Sequence, residues 1–228
     1  MLVLFDIDGT LLLRAADAHR DALHGAIEEV WGVDLTAVRV ETGGRTDPDI
    51  ARDILVRGGV DRRRIDERFD DFRAATARRY AGLAPDDLSA HVAPGAREAL
   101  DELAAGAMRL SLVTGNLEPV ARLKLARAGI GERFAPGQGA FGSDSEDRAD
   151  LPEIARRRAG RAWNGGAPWP RERTVVVGDT PRDIACARAD GVAVIAVATG
   201  PFAADALGAA DAVLEDLRGL AEALALVA

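Results

Sequence analysis

Short, mostly apolar runs punctuate the chain, and three of them close on a polar turn. They are residues 2–5 before Asp6, residues 110–114 before Gly115, and residues 174–177 before Gly178. Runs without an exposed polar face predict strands buried on both sides, as in parallel sheets. Further strands are predicted at 192–197 and, shorter, at 211–214. Helical patterns fall between them at about 117–129, 149–161, 181–190 and 216–227. Strand and helix alternate, which predicts an α/β fold with a doubly wound, Rossmann-like parallel sheet. Such sheets bind ligands outside the carboxyl ends of their strands. All three polar motifs stand there.

Residues 14–88 break the alternation. Ala18, Ala22, Ala26 and Val30 recur every fourth position with Leu23, Ile27 and Trp31 beside them, the stripe of an amphipathic helix. Ile65, Phe69, Phe72 and Thr76 trace a second stripe, and no strand pattern intervenes. The expected organisation is an α/β core domain from residues 1–13 and 89–228, with an all-α insertion at 14–88. Ala93-Pro94-Gly95 supplies the return linker.

Composition narrows the function. With 228 residues, 48% hydrophobic and 29% charged, the chain can bury a full core. A net charge of -8 argues against a nucleic-acid partner, which needs a basic surface. No run reaches the roughly 18 apolar residues of a membrane span, and the start lacks the pattern of a signal peptide. The single cysteine, Cys186, fits a reducing compartment and reads as helix packing. A cytoplasmic protein, monomer or homodimer, is expected.

The strongest chemical signal is Phe5-Asp6-Ile7-Asp8-Gly9-Thr10-Leu11. Two carboxylates one residue apart, straight after a buried strand, repel one another, and hard oxygen ligands select Mg²⁺ as the compensating cation. Thr114-Gly115-Asn116 ends the second buried run, and Asp179 with Asp183 follows the third.

With these motifs in this order the chain resembles the haloacid dehalogenase superfamily, over about two thirds of its length. The resemblance implies that Asp6 is a nucleophile that becomes phosphorylated and Asp8 the acid–base partner. It implies Mg²⁺ held by Asp6, the main-chain carbonyl of Asp8, and Asp179, with Asp183 reaching the metal through water or orienting a cation. Thr114, Gly115, Asn116 and Gly9 would bind the phosphoryl oxygens, and the insertion would be a cap that closes over the site. The substrate would be a small phosphorylated metabolite.

The family's third motif, a lysine, has no direct match. Arg148 stands at the expected place and is taken as the cation; Lys124, the only lysine, is read as a solvated or snorkelling helix residue. In Gly43-Gly44-Arg45-Thr46-Asp47 two readings stay open. One is a helix N-cap at Thr46 or Asp47 ahead of Pro48; the other is a cap loop whose Arg45 contacts substrate. His19, His24 and His91 have no second ligand at metal spacing and are expected to be structural or solvent-facing. Phosphatase is favoured, with phosphomutase as the runner-up and a receiver-like module further behind. A dehalogenase would lack the acid at position 8, and a phosphonate hydrolase would need a cap lysine.

Overall fold

The computed structural model describes residues 1–106 and 108–227. Six strands form one sheet in the order β3-β2-β1-β4-β5-β6, every pair parallel. They are β1 (Leu2–Phe5), β2 (Arg109–Thr114), β3 (Ala140–Phe141), β4 (Thr174–Gly178), β5 (Ala193–Val197) and β6 (Ala212–Leu214). Central β1 places Phe5 beside Leu112 of β2 on one side and Val177 of β4 on the other. The chain winds away from β1 in both directions, so the crevice at its carboxyl end is the ligand position of this topology.

The two-residue period of the strands builds two cores. Val3, Phe5, Leu112, Val177 and Ile195 face one side, against α5 (Ala96–Ala105) and α9 (Leu220–Val227). Leu2, Leu4, Val113, Val176 and Val194 face the other, against α7 (Leu151–Trp163) and α8 (Pro181–Asp190). Residues buried on both faces explain the mostly apolar runs. β3 was not expected: two residues carry no periodicity, and Ala140 and Phe141 are strand only through pairing with Val113 and Thr114. Nor was α5, which starts directly on the return linker.

The insertion is helical as expected: α1 (Asp17–Trp31), α2 (Asp47–Arg57), α3 (Arg62–Glu67) and α4 (Phe69–Leu83). It carries its own core, in which Trp31 and Ile27 of α1 meet Ile54, Ile65 and Phe72. The Ile65–Thr76 stripe is buried but crosses two helices, broken at Arg68. Thr46 caps α2 by accepting from the Asp49 N–H, with Pro48 in the first turn, so the N-cap reading describes this segment. Among the described residues no helix is long and apolar enough to cross a membrane.

Candidate active site

The amide of Asp6 still pairs with the Val177 carbonyl (2.9 Å), which fixes its carboxylate between the ends of β1 and β4. The chain then turns sharply: the amides of Leu11 and Leu12 both return to the Ile7 carbonyl, and Gly9 takes φ 90°. A side chain at Gly9 would put its Cβ 2.2 Å from Oδ2 of Asp179, so only glycine lets that carboxylate approach. Thr10 Oγ1 donates to Asp179 Oδ1 (3.1 Å). One oxygen from each of Asp6, Asp179 and Asp183 lies within 4.8 Å of the others, and all three side chains are buried.

Such crowding has an electrostatic cost. Burial first, then the charges of Asp183 and Asp8, push the Asp6 carboxyl up to about 6 against the opposing pull of Arg148. Burial, then Asp6 and Asp183, push Asp179 up to about 8. Arg148 supplies the one positive charge: its Nη2 lies 3.3 Å from Asp6 Oδ1 and donates to Asp183 Oδ1. Asp183 also closes the capping box of α8, its Oδ2 accepting from the Thr180 amide (2.9 Å) and hydroxyl (2.7 Å). Asp183 thus meets Arg148 with one oxygen while the other caps α8. One guanidinium against three carboxylates leaves a deficit of two charges, which suits a divalent cation on oxygen ligands.

Lys124 overturns its expectation. It is fully buried, and its Nζ donates to both oxygens of Asp8 (2.7 and 2.6 Å) and to Asn116 Oδ1 (2.8 Å). Helix α6 (Glu118–Arg127) has a buried face of Leu117, Val120, Ala121, Lys124, Leu125 and Ala128, at spacings of three and four. The lysine thus stands in an apolar stripe, and that was the legible signal. With Arg148 held by Asp6 and Asp183, the second carboxylate of the turn needs its own cation. Burial would raise the Asp8 pKa, but the charge of Lys124, with hydrogen bonds from Lys124 and Asn116, brings it below the usual carboxylate range.

His19 belongs to the same network. Its Nδ1 lies 3.1 Å from Lys124 Nζ and its Nε2 2.9 Å from Asp47 Oδ2. Since the ammonium can only donate, Nδ1 accepts and Nε2 carries the proton toward Asp47. Asp47 Oδ2 also accepts from the Leu117 amide (2.8 Å), and the Asp47 amide donates to the Gly115 carbonyl (2.8 Å). A buried chain thus runs from Asp8 through Lys124 and His19 to Asp47, joining core to insertion. His24 borders the cavity instead, and His91 Nδ1 bonds the Leu13 carbonyl (2.9 Å).

The insertion lies shut on the core. Arg52 grips Glu146 with two 2.7 Å bonds, and Thr46 Oγ1 donates to the Glu146 carbonyl (2.7 Å). At Gly115 a Cβ would fall 2.0 Å from the Arg45 carbonyl, so glycine lets the two loops meet. Arg45 does not present its charge as expected. Its guanidinium is bound by Asp49 (2.6 and 2.7 Å) and Asp53 (2.8 Å), because α2 places both carboxylates on its side. Beneath the insertion is a cavity of about 1220 Å³ reached by Asp6, Asp8, Gly9, Gly115, Asn116 and Arg148. Thr114 is buried behind it, its Oγ1 accepting from the Asn116 amide nitrogens (3.4 and 3.0 Å) while its own proton finds no acceptor among the described residues.

A buried acidic cluster at the carboxyl end of the central strand, under a helical cover, stands where α/β enzymes of this topology bind their ligands. A profile of the haloacid dehalogenase-like hydrolases matches residues 3–188, and the chain belongs to that family. It is 32% identical over 206 residues to a phosphoglycolate phosphatase of Rhodospirillum rubrum, covering 87% of this chain and 79% of that protein. In fold it is similar to a β-phosphoglucomutase of Clostridium difficile (TM-score 0.71, 16% identity, covering 99% and 96% of the two chains). CbbY of Rhodobacter sphaeroides, solved with phosphate, is also similar (TM-score 0.66, 21% identity, 96% and 95%). The chain is a hydrolase of the phosphatase type.

Proposed function

We propose that this enzyme hydrolyses a small phosphorylated metabolite, phosphoglycolate among the candidates, with Asp6 as nucleophile and Mg²⁺ as cofactor. The observation that carries the reading is the charge deficit of Asp6, Asp179 and Asp183 around one arginine at the floor of a covered cavity. Asp6 and Asp179, with the main-chain carbonyl of Asp8 and with Asp183 behind them, would hold Mg²⁺, which neutralises the repulsion between carboxylate and phosphoryl oxygens. A carboxylate oxygen of Asp6 forms a bond to phosphorus as the bond to the leaving oxygen breaks. Asp8, which must first take up a proton against the pull of Lys124, gives it to that oxygen and later takes one from the water that cleaves the acyl phosphate, so the protons balance over two steps. Arg148 neutralises charge beside Asp6; the Thr114 hydroxyl and the Gly115 amide would meet the phosphoryl oxygens, while the Gly9 amide is held by the Leu12 carbonyl (2.8 Å). The direct test is phosphate release from a metabolite panel with Mg²⁺ and with EDTA. Release from no member, or equal release after metal stripping, overturns the reading.

The raised acidities give a separate expectation. A folded state that keeps Asp6 and Asp179 protonated holds protons the unfolded chain has already lost. Its stability therefore falls as pH rises from about 4, through about 6 for Asp6 and about 8 for Asp179. Without metal, melting is expected at lower temperature at pH 8 than at pH 5. Mg²⁺ binds the ionised cluster, so it is expected to raise Tm by about 5 °C or more at pH 8 and by under about 2 °C at pH 5. Equal shifts at both pH values would separate the metal from these carboxyls.

A further inference from the structure

Five arginines line the cavity, and three are already matched by carboxylates. Arg148 faces Asp6 and Asp183, Arg45 faces Asp49 and Asp53, and Arg20 faces Asp17 and Asp21. Arg39 donates to the Thr36 carbonyl. Arg14 is different: among the described residues its guanidinium makes no ion pair and no hydrogen bond, although it borders the same cavity as Asp6 and Asp8.

Its backbone is unusual too. Arg14 is the single non-glycine residue with positive φ (56°) among the described residues. An L-residue avoids this region because its Cβ crowds the following carbonyl oxygen, and strain of this sort concentrates at ligand-binding positions. The turn is held from the core side. Leu12 bridges Asp8 and Val92, while Leu13 donates its amide to the His91 carbonyl (2.7 Å) and accepts from His91 Nδ1 (2.9 Å). Arg14 thus leaves a fixed point two residues beyond Leu12, a span of at most about 7 Å. It enters the cavity beside the catalytic turn, next to the apolar walls of Leu12, Leu13 and Ala15.

We propose that Arg14 receives a second anionic group of the substrate, a carboxylate or a second phosphate, while Asp6 takes the phosphoryl group. The assignment rests on the phosphatase reading above and adds to it a substrate class: short phosphate esters with an acidic far end. A guanidinium offers two parallel donors to either anion, and a short carbon backbone would lie along the apolar wall between the two charged ends.

The test is a ratio. For the unaltered enzyme and for Arg14→Asn, kcat/KM is measured with phosphoglycolate, glucose 1,6-bisphosphate and glycerol 3-phosphate, which is uncharged beyond its phosphate. Asparagine tolerates the left-handed backbone, so the variant removes charge without adding strain. Losing a charge-assisted contact predicts a fall of about tenfold or more in the ratio of an anionic substrate to glycerol 3-phosphate. Arg14→Lys is expected to recover part of it, and Arg39→Gln to shift it far less. A fall confined to phosphoglycolate identifies a carboxylate, and one confined to the bisphosphate a phosphate; either supports the assignment. Both ratios within twofold of the unaltered enzyme, or a larger fall in Arg39→Gln, would overturn it. If the unaltered enzyme releases phosphate from glycerol 3-phosphate or another panel member but from neither anionic substrate, this assignment fails and the phosphatase reading stands; release from no panel member ends both.

Discussion

Asp6→Asn is expected to end turnover while leaving the fold intact or slightly more stable. The amide has nearly the volume of the carboxyl but no nucleophilic oxygen anion, so a loss on the order of 10⁴-fold or more in kcat follows. Stability moves the other way for an electrostatic reason. Burial is the largest influence on this carboxyl and pushes it up to about 6, so near neutral pH its charge is held at a cost that the amide avoids. Arg148 keeps Asp183 as its partner, so the change leaves no unpaired cation. Phosphate release and a melting curve at pH 8 check both halves. Activity above about one part in a hundred would remove Asp6 from the nucleophile's role.

Lys124→Met is expected to damage stability and activity together. Methionine fills the same channel through α6, but Asp8 then stands without the two bonds that now compensate it. Breaking a buried ion pair from one side costs about 3–5 kcal/mol. The Asp8 side chain keeps 30% exposure, which lowers the expectation to about 2–3 kcal/mol, or roughly 4–10 °C in Tm. With the opposing charge gone, the Asp8 pKa rises, and the alkaline limb of the kcat/KM profile, which the ionisation of this acid sets, is expected to move to higher pH. A fall in kcat/KM of about 10²-fold or more accompanies it, the worth of a positioned acid–base group. A melting temperature within 1 °C of the unaltered enzyme, with an unmoved profile, would show that Asp8 does not depend on this lysine.

The contrast between Arg148 and Lys124 shows what the sequence could and could not reveal. The strands were legible because burial on both faces leaves a mostly apolar run, and Asp6, Thr114 and Asp179 were legible because they end such runs. Arg148 could be placed by its position before a helix. Lys124 was misread because a charged residue in a helix was assigned to solvent before its neighbours at 117, 120, 121, 125 and 128 were counted; the stripe places it inside. His19, expected to be structural or solvent-facing, is the former, sharing a buried face with Ala22, Leu23 and Ala26. Arg45 was a different failure. Nothing local tells whether an arginine is offered to a ligand or consumed by Asp49 and Asp53, since that choice depends on where α2 starts. β3 was beyond reach, because two residues acquire strand geometry only from a neighbour 27 positions earlier in the chain.

The burial of Lys124 makes the chain addressable by lysine chemistry at one interior point. Every other basic side chain apart from the histidines is an arginine, so a lysine-specific protease has a single target bond, Lys124–Leu125, inside α6. Cutting there would divide the protein into fragments of 124 and 104 residues. The rate of that one cleavage reads how often the helix carrying the Asp8 partner opens, and reagents that acylate amines would find only this group and the α-amine of Met1. Substrate or cation that holds the helix in place would slow the cut, turning a gel band into a gauge of site closure.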